Sequence, residues 1–170
     1  MAWFFSSCPT PVGPLLLVAD DTALTEIRFT GALPREGHSP AWKSGSSLLE
    51  EAARQLSAYF AGALRLFHLP LAPRGTPFQL RVWQTLQGIP YGETISYEGL
   101  ARRVGRPSAA RAVGAANGRN PLPIVIPCHR VLGKDGSLTG FRGGLRVKRQ
   151  LLVLEGAPAV TAAFCFSPPR

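Results

Sequence analysis

Cys128 and His129 are adjacent in the segment Ile124-Val125-Ile126-Pro127-Cys128-His129-Arg130-Val131, which brings a thiol and an imidazole together. A thiol of ordinary pKa is only a few per cent thiolate at neutral pH, and a nearby imidazole is the usual activator. Because the side chains of adjacent residues do not readily meet, a water between them is the easier geometry. The pair indicates nucleophilic catalysis by Cys128, with a buried structural cysteine as the alternative.

Glu155 supplies the carboxylate that such a pair needs to fix the imidazole tautomer and to stabilise its charged form. It is the only acidic residue after Asp135. It ends a predicted helix, where the helix dipole favours a cation. A solvated terminal glutamate is the alternative. Asn120, before Pro121, is either a simple turn residue or an amide that bridges the neighbouring helices to the Cys128 segment.

Charge is unevenly distributed along the 170 residues. Residues 1–75 contain six basic and six acidic residues, whereas residues 76–170 contain thirteen basic and four acidic ones. The whole net charge of +9 therefore lies in the half that contains Cys128. Such a field favours a polyanionic partner, nucleic acid first and an anionic membrane second. No apolar run approaches the ~20 residues of a membrane span, and the N-terminus lacks the features of a signal peptide.

The three cysteines, Cys8, Cys128 and Cys165, lie far apart without a CxxC spacing. An odd number at such spacing indicates a reducing compartment and argues against a disulfide framework or a closed zinc site. Cys8, His38 and His68 cannot supply four ligands, so we predict no metal and no cofactor. We expect a cytoplasmic, nucleoid-associated protein, or a nuclear one in a eukaryote.

The first half predicts a small α+β domain of residues 1–75. Its predicted elements are a β-hairpin of residues 14–19 and 24–29, a loop at 31–46, a helix opened by the capping box Ser47-Leu48-Leu49-Glu50 and ended by Gly62, and a strand at 64–71. Residues 72–75 are rich in Pro and Gly and predict a linker to a second domain.

The second half predicts a helix-turn-helix within a domain of residues 76–156. Its predicted helices are one capped by Thr76, a short one from Tyr97 to Val104 capped by Ser96, one from Ala109 to Asn117 capped by Ser108, and a closing helix from Leu145 to Glu155. The third consists mostly of small residues, which suits close approach to DNA or tight packing on another helix. Its one long side chain, Arg111, favours a nucleic-acid surface.

The elements around Cys128 complete a predicted winged helix-turn-helix. Residues 124–126 predict a buried strand, and Asp135-Gly136 predicts a β-wing between Leu132 and Leu138. Residues 157–170 are rich in Pro and Ala and predict a loose tail. A nucleophile in a DNA-binding domain that acts on a base needs that base flipped out of the stack.

The segment Pro127-Cys128-His129-Arg130-Val131, preceded by Gly118-Arg119-Asn120-Pro121, closely resembles the O6-alkylguanine-DNA alkyltransferases (methylated-DNA–protein-cysteine methyltransferases). The resemblance runs from Phe78 to Gly156 and includes Ile89-Pro90-Tyr91-Gly92-Glu93-Thr94-Ile95-Ser96-Tyr97, Ala109-Ala110-Arg111-Ala112-Val113-Gly114 and Leu151-Leu152-Val153-Leu154-Glu155-Gly156. Thr10-Pro11-Val12-Gly13-Pro14-Leu15 extends it more weakly into the N-terminal half. It implies an α/β protein with a ribonuclease-H-like N-terminal domain and a winged helix-turn-helix C-terminal domain.

The resemblance also implies a reaction. Cys128 takes the alkyl group from guanine O6 in DNA in one irreversible turnover, and O4-alkylthymine is a possible further substrate. His129 acts through a water with Glu155 behind it, Asn120 holds two segments together, and Tyr97 donates a proton toward guanine N3. The implied partner is double-stranded DNA containing O6-alkylguanine, bound by a monomer without membrane contact; cooperativity on DNA stays open.

Two further residue sets follow from the resemblance. Arg111 replaces the flipped nucleotide through the minor groove. The expected DNA contacts are Ser96, Ala109, Ala110, Arg111, Ala112, Gly114, Ala115, Arg119 and Arg130. The expected substrate pocket consists of Tyr97, Pro123, Val131, Phe141, Arg142 and Gly143. Phe141 and Arg142 stand where some members have a tyrosine and a serine, so a side-chain hydroxyl bond to O6 is not expected from this loop.

Three other functions are weighed against this one. An alkyltransferase-like protein that only recognises the lesion lacks the cysteine, so Cys128 argues against it. A methylation-responsive transcription regulator needs a further N-terminal domain, for which we expect no room. A cysteine hydrolase would turn over repeatedly and would gain nothing from concentrated positive charge.

Overall fold

The structure is a computed structural model that describes residues 2–29 and 42–161. The chain divides into two compact units between Arg74 and Gly75. His38, Cys165 and the part of the predicted tail after residue 161 lie outside the described residues. Within the described ranges, no helix is both long enough and apolar enough to span a bilayer.

A sheet with the strand order β3-β2-β1-β4 forms the first unit together with one helix. The strands are β1 (Trp3–Cys8), β2 (Leu15–Ala19), β3 (Leu24–Arg28) and β4 (Trp42–Ser44). The antiparallel pairing of β2 with β3 confirms the predicted hairpin. Strand β2 is buried along its whole length, as expected for a central strand made of Leu, Val and Ala.

Strands β1 and β4 are absent from the sequence-based prediction. Strand β4 lies inside the predicted loop 31–46 and pairs in parallel with β1, so that prediction is wrong for residues 42–44. Strand β1 also pairs antiparallel with β2. The ladder of β1 with β4 joins segments distant in sequence, and a local composition signal does not report such pairing.

Helix α1 (Ser47–Phe60) packs its apolar face, including Leu49, Leu56 and Tyr59, into the core of this unit. Its N-cap is Ser46, whose hydroxyl accepts the Leu49 N–H at 3.2 Å, so the predicted cap at Ser47 is wrong by one residue.

The strand predicted at residues 64–71 does not form. The Gln55 side chain takes both backbone groups of His68, donating to its carbonyl at 3.0 Å and accepting its N–H at 2.8 Å. Because a side chain satisfies these groups, the segment needs no ladder partner, and only Leu71 bridges to Leu24.

The second unit contains the predicted helix-turn-helix. Its elements are α2 (Pro77–Leu86), β5 (Ile95–Ser96), α3 (Tyr97–Val104), α4 (Ala110–Gly118), a 3₁₀ turn (Cys128–Arg130), β6 (Val131–Leu132), α5 (Leu145–Leu154) and α6 (Pro158–Thr161). The predicted N-caps at Thr76 and Ser96 are confirmed, the first as a complete capping box. Ala109 stands at the N-cap of α4 without a side-chain bond, so the predicted cap at Ser108 is wrong.

The predicted wing is a tight turn rather than a hairpin. The Gly133 N–H donates to the Ser137 carbonyl at 2.9 Å, but Leu132 and Leu138 do not pair. Strand β6 pairs in parallel with β5 instead. Residues 157–161, predicted as loose, include α6, because Ala157 and Val160 are buried against Leu132 and Leu152.

The strand predicted at residues 124–126 is a buried turn. The Ile126 N–H donates to the Leu122 carbonyl at 2.8 Å, and the Cys128 N–H donates to the Ile126 carbonyl at 2.8 Å. Ile124 lies in the left-handed region at φ 75°. The β-branched side chains of this segment predict a strand, but its backbone groups are satisfied by local hydrogen bonds within a turn.

Candidate active site and DNA-binding surface

Cys128 opens the 3₁₀ turn and is 5% exposed. Burial raises the pKa of its thiol, while a hydrogen bond from Asn120 and the positive charges of Lys148 and Arg142 act in the opposite direction. The turn thus presents a sulfur that is shielded from water but surrounded by groups that stabilise a thiolate.

His129 and Glu155 are in direct contact inside the unit. The distance between His129 Nε2 and Glu155 Oε1 is 2.7 Å, and both side chains are 0% exposed. Burial lowers the pKa of His129, so the imidazole is neutral at physiological pH. Its Nε2–H then donates to the carboxylate, which leaves Nδ1 as the basic position. Within the described chain, His129 Nδ1 has no hydrogen-bond partner.

Arg130 holds the other side of the carboxylate. Its Nε donates to Glu155 Oε2 and one terminal nitrogen to Oε1, both at 2.9 Å, and its second terminal nitrogen donates to the Ile89 carbonyl at 2.6 Å. Although burial pushes the pKa of Glu155 upward, the bonds from His129 and Arg130 bring it below its ordinary value. The carboxylate is therefore ionised and oriented by two partners.

This geometry corrects one predicted role. Arg130 is 6% exposed and committed to Glu155, so its side chain does not offer charge to DNA. The family resemblance placed Arg130 among the expected DNA contacts, but a carboxylate buried 25 positions later in the chain takes the guanidinium instead.

Lys148 is a further buried cation of the site, and it was not predicted from the sequence. Its ammonium donates to the carbonyls of Val131 at 2.6 Å and Thr139 at 2.7 Å. Burial lowers the pKa of Lys148 to about 8, partly offset by attraction to Cys128. The sequence did contain a signal that Lys148 is buried, because it shares the helical face of Leu151 and Leu152, where an apolar residue is expected.

Asn120 occupies the bridging position predicted for it. Its amide donates to the Ile126 carbonyl at 2.7 Å, and its side-chain oxygen accepts the Leu122 N–H at 3.0 Å. The same residue hydrogen-bonds the Cys128 sulfur. Asn120 therefore joins the exit of α4 to the turn that carries the thiol.

A small cavity adjoins Cys128. It is lined by Asn117, Gly118, Asn120, Pro123, Cys128, Gly140, Phe141 and Arg142. Its volume is about 10 Å³, which is about the room that one water needs. Pro123, Phe141 and Arg142 thus lie where the pocket was predicted.

The other predicted pocket residues lie elsewhere. Gly143, Tyr97 and Val131 do not line this cavity. Val131 is fully buried, with its carbonyl bound by Lys148. Tyr97 accepts the Thr139 hydroxyl at 3.2 Å at the surface of the unit. A flipped guanine would need more room than this arrangement provides.

Helix α4 presents the predicted DNA-binding face. Of the predicted DNA contacts, Arg111, Ala112, Ala115 and Arg119 are exposed, and Ser96, Ala109, Ala110 and Gly114 are half-buried. Val113 and Ala116 face the core. Small side chains on the outer face bring the helix backbone close to a docked surface, and Arg111 projects from it.

Two family models match the chain. The DNA binding domain of 6-O-methylguanine DNA methyltransferase matches residues 77–157, and the ribonuclease-like domain of the same enzyme matches residues 4–73. A methylated-DNA–protein-cysteine methyltransferase of Methanosarcina acetivorans is 46% identical over 91% of this chain and 99% of its own length. One of Mycobacterium tuberculosis is 46% identical over 91% and 93%.

A solved structure agrees with these matches. The crystal structure of Mycobacterium tuberculosis OGT in complex with DNA is 45% identical, covers 96% of this chain and 99% of that one, and superposes with a TM-score of 0.81. Fold and site define a helix-turn-helix protein that carries a buried, polarised cysteine. More particularly, the chain belongs to the 6-O-methylguanine DNA methyltransferase family, which confirms the predicted family and mixed α/β fold.

Proposed function

We propose that this protein repairs DNA by moving the alkyl group of O6-alkylguanine to Cys128 Sγ, once per molecule. The observation that carries the proposal is a buried thiol, a buried His129–Glu155 pair and a helix-turn-helix in one unit. The relatives' names, methylated-DNA–protein-cysteine methyltransferases, support the same reaction.

The chemistry requires a thiolate and a leaving base. His129 Nδ1 takes the Cys128 proton through a bridging water, and Glu155 stabilises the imidazolium that forms. The sulfur then forms a bond to the alkyl carbon while the bond from that carbon to guanine O6 breaks. The leaving guanine takes up a proton at N3; the family resemblance gives this role to Tyr97, whose hydroxyl must exchange Thr139 for the base when DNA binds. The product is a thioether, which has no route back to the thiol.

DNA binding supplies the substrate. Because Cys128 is 5% exposed, it does not reach an atom inside a stacked duplex, so the base must be flipped out of the stack toward Cys128, and the cavity must widen to admit it. The exposed Arg111 on α4 fills the vacated position, while Arg119 lies next to the DNA backbone. The protein acts as a monomer on double-stranded DNA, in the reducing compartment that holds the DNA, since the reaction needs a free thiol.

Intact mass spectrometry tests the proposal. The wild type, Cys128→Ser and Cys8→Ser are incubated with duplex DNA carrying one O6-methylguanine. We expect wild type and Cys8→Ser to gain the mass of one CH₂ group, mapped to Cys128, and Cys128→Ser to gain nothing. Tight, lesion-selective binding without a mass gain would instead identify a recognition-only protein, and neither binding nor gain would reject both functions.

A further inference from the structure

Thr139, just after the turn of residues 133–137, contacts two residues of the site through two different groups. Its carbonyl accepts a hydrogen bond from the buried ammonium of Lys148 at 2.7 Å. Its hydroxyl donates to the Tyr97 hydroxyl at 3.2 Å, and the Tyr97 hydroxyl donates in turn to the Thr139 carbonyl at 3.4 Å. In the proposed reaction, Thr139 serves so far only as the partner that Tyr97 leaves.

Separate parts of the unit hold these two hydroxyl groups together. Lys148 also donates to the Val131 carbonyl at 2.6 Å, so its buried ammonium ties the backbone of Thr139 to β6. On the other side, the Tyr97 ring lies beside α4, where a Cβ added to Gly114 would be 3.5 Å from a ring carbon. The backbone that carries one hydroxyl and the ring that carries the other are therefore both fixed.

The two hydrogen bonds between Thr139 and Tyr97 run in opposite directions. A phenol has one proton to donate and an oxygen that can accept. The Tyr97 proton is directed at the Thr139 carbonyl, and this is the bond that a base replaces when it receives the proton at N3. The Thr139 hydroxyl donates to the lone-pair side of the Tyr97 oxygen, so this second bond persists while the base is bound.

We propose that Thr139 is a positioning residue for Tyr97, whose oxygen it stabilises as the proton moves from Tyr97 to the leaving base. The inference rests on the proposed alkyl transfer. As the bond from the alkyl carbon to guanine O6 breaks, its electron pair passes to the base, and N3 takes the proton of Tyr97. Negative charge then appears on the phenolic oxygen until solvent returns a proton. Because a hydrogen bond to a charged oxygen is stronger than one to a neutral oxygen, the Thr139 hydroxyl stabilises the transition state more than the resting state.

Single-turnover transfer from a duplex carrying one O6-methylguanine, measured over a range of DNA concentrations, tests this role. Thr139→Val keeps the shape of the side chain and the carbonyl that binds Lys148, but it removes the hydroxyl. We expect the limiting rate to fall about tenfold, while the DNA concentration at half-saturation stays unchanged. Thr139→Ser, which restores the hydroxyl, should recover most of the wild-type rate.

A double-mutant cycle with Tyr97→Phe shows whether the effect passes through the tyrosine. Without the phenolic oxygen the Thr139 hydroxyl has no charge to stabilise, so adding Thr139→Val to Tyr97→Phe should change the limiting rate by less than about twofold. Ser137→Ala is the matched control, because it removes a hydroxyl two residues earlier that bonds Asp135, and its rate should equal that of the wild type. If Thr139→Val does not fold, Thr139→Ala supplies the same comparison.

The outcomes separate this inference from the proposed function. A wild type that transfers no alkyl group rejects the proposed function itself. A limiting rate that Thr139→Val leaves unchanged, or slows equally with and without the Tyr97 hydroxyl, overturns the role of Thr139 while transfer by Cys128 stands. A change confined to the half-saturating DNA concentration would also overturn it and would make Thr139 a DNA contact instead.

Discussion

Cys8 and Cys128 are both buried cysteines, yet their surroundings differ. Cys8 ends β1 and is 2% exposed; burial raises the pKa of its thiol, and its sulfur lies 3.8 Å from the Pro9 carbonyl. Burial also raises the pKa of Cys128, but an asparagine amide and two cations oppose the effect. Burial alone makes a thiol inert, and the neighbours decide whether it becomes a nucleophile.

The same contrast extends to the two units. In the described part of the first unit, the buried polar side chains Asp20, Thr25 and Gln55 each bond to nearby backbone and close a turn or hold a loop. In the second unit, Asn117, Asn120, His129, Arg130, Lys148 and Glu155 are buried around one cysteine. The buried polar side chains of the first unit are therefore scattered and hold local structure, whereas those of the second unit are concentrated around Cys128.

The largest expected effect is that of Glu155→Gln. Transfer should slow roughly 100-fold, since the imidazolium loses its counter-charge. The free energy of unfolding at pH 7 should fall by about 3–5 kcal/mol, because Arg130 is left as a buried, uncompensated charge. Single-turnover kinetics and urea denaturation measure the two effects.

Asp20→Asn is the matched change in the first unit. This buried carboxyl binds the Thr22 and Ala23 backbone N–H groups, which an amide oxygen also accepts, so we expect a cost of about 1 kcal/mol and unchanged transfer. Equal stability losses in the two variants would contradict the contrast between the units.

Acid should reduce the stability difference between wild type and Glu155→Gln. The folded pKa of Glu155 lies below its ordinary value of 4.5. Its contribution is therefore fully present above that value and is lost as the pH falls toward the folded pKa, because the unfolded carboxyl binds the proton first. Urea denaturation at pH 7 and pH 3 should show a smaller difference at pH 3; a difference independent of pH would show that the carboxylate is not ionised by its partners.

Lys148→Met should slow transfer roughly tenfold at pH 7 by removing a cation that supports the thiolate, a change of about 1.4 kcal/mol in barrier. Because the pKa of Lys148 is about 8, the wild-type rate should rise with pH and then level off above that value as the ammonium loses its charge. The variant should continue to rise. Parallel pH profiles would remove Lys148 from the electrostatics of the site.

Arg111→Ala should slow repair of duplex DNA roughly tenfold, with a much smaller loss on free O6-benzylguanine, since the free base needs no flipping. Arg65→Ala in the first unit, at another exposed position, is the control. Equal losses on duplex and free base would exclude the nucleotide-replacing role of Arg111.

The smallest effect is expected from Cys8→Ala. Removing this sulfur should cost about 1 kcal/mol of unfolding free energy through lost packing and should leave transfer unchanged. A measurable loss of transfer would show that the cysteine of the first unit contributes to the reaction after all.

Local signals predicted those parts of the fold that local chemistry determines. The N-caps at Thr76 and Ser96 mark the starts of α2 and α3 because their partners lie within a few residues. The parallel pairing of β1 with β4 has no local signature. The segment 124–126 was misread because its side chains are β-branched while its backbone bonds are made by Asn120 and Leu122.

The site residues also divide into those that the sequence predicts and those that only the structure identifies. Cys128 with His129 is visible as an adjacent pair, the sequence also offers Glu155 and Asn120 as candidates, and the family resemblance gives these two their roles. Arg130 and Lys148 read as surface charges, because a sequence does not show which cation is buried. These residues acquire their roles only when α4, α5 and the 3₁₀ turn converge.

The left-handed conformation of Ile124 has a consequence for the order of folding. A buried β-branched residue at φ 75° costs on the order of 1–3 kcal/mol, and only the completed surroundings can impose it. The turn that carries Cys128 should therefore form after the folding transition state. Substitutions at Ile124 are then expected to change the unfolding rate while leaving the folding rate nearly constant. In this order of events, the reactive thiol is assembled only in molecules in which the rest of the DNA-binding unit has already folded.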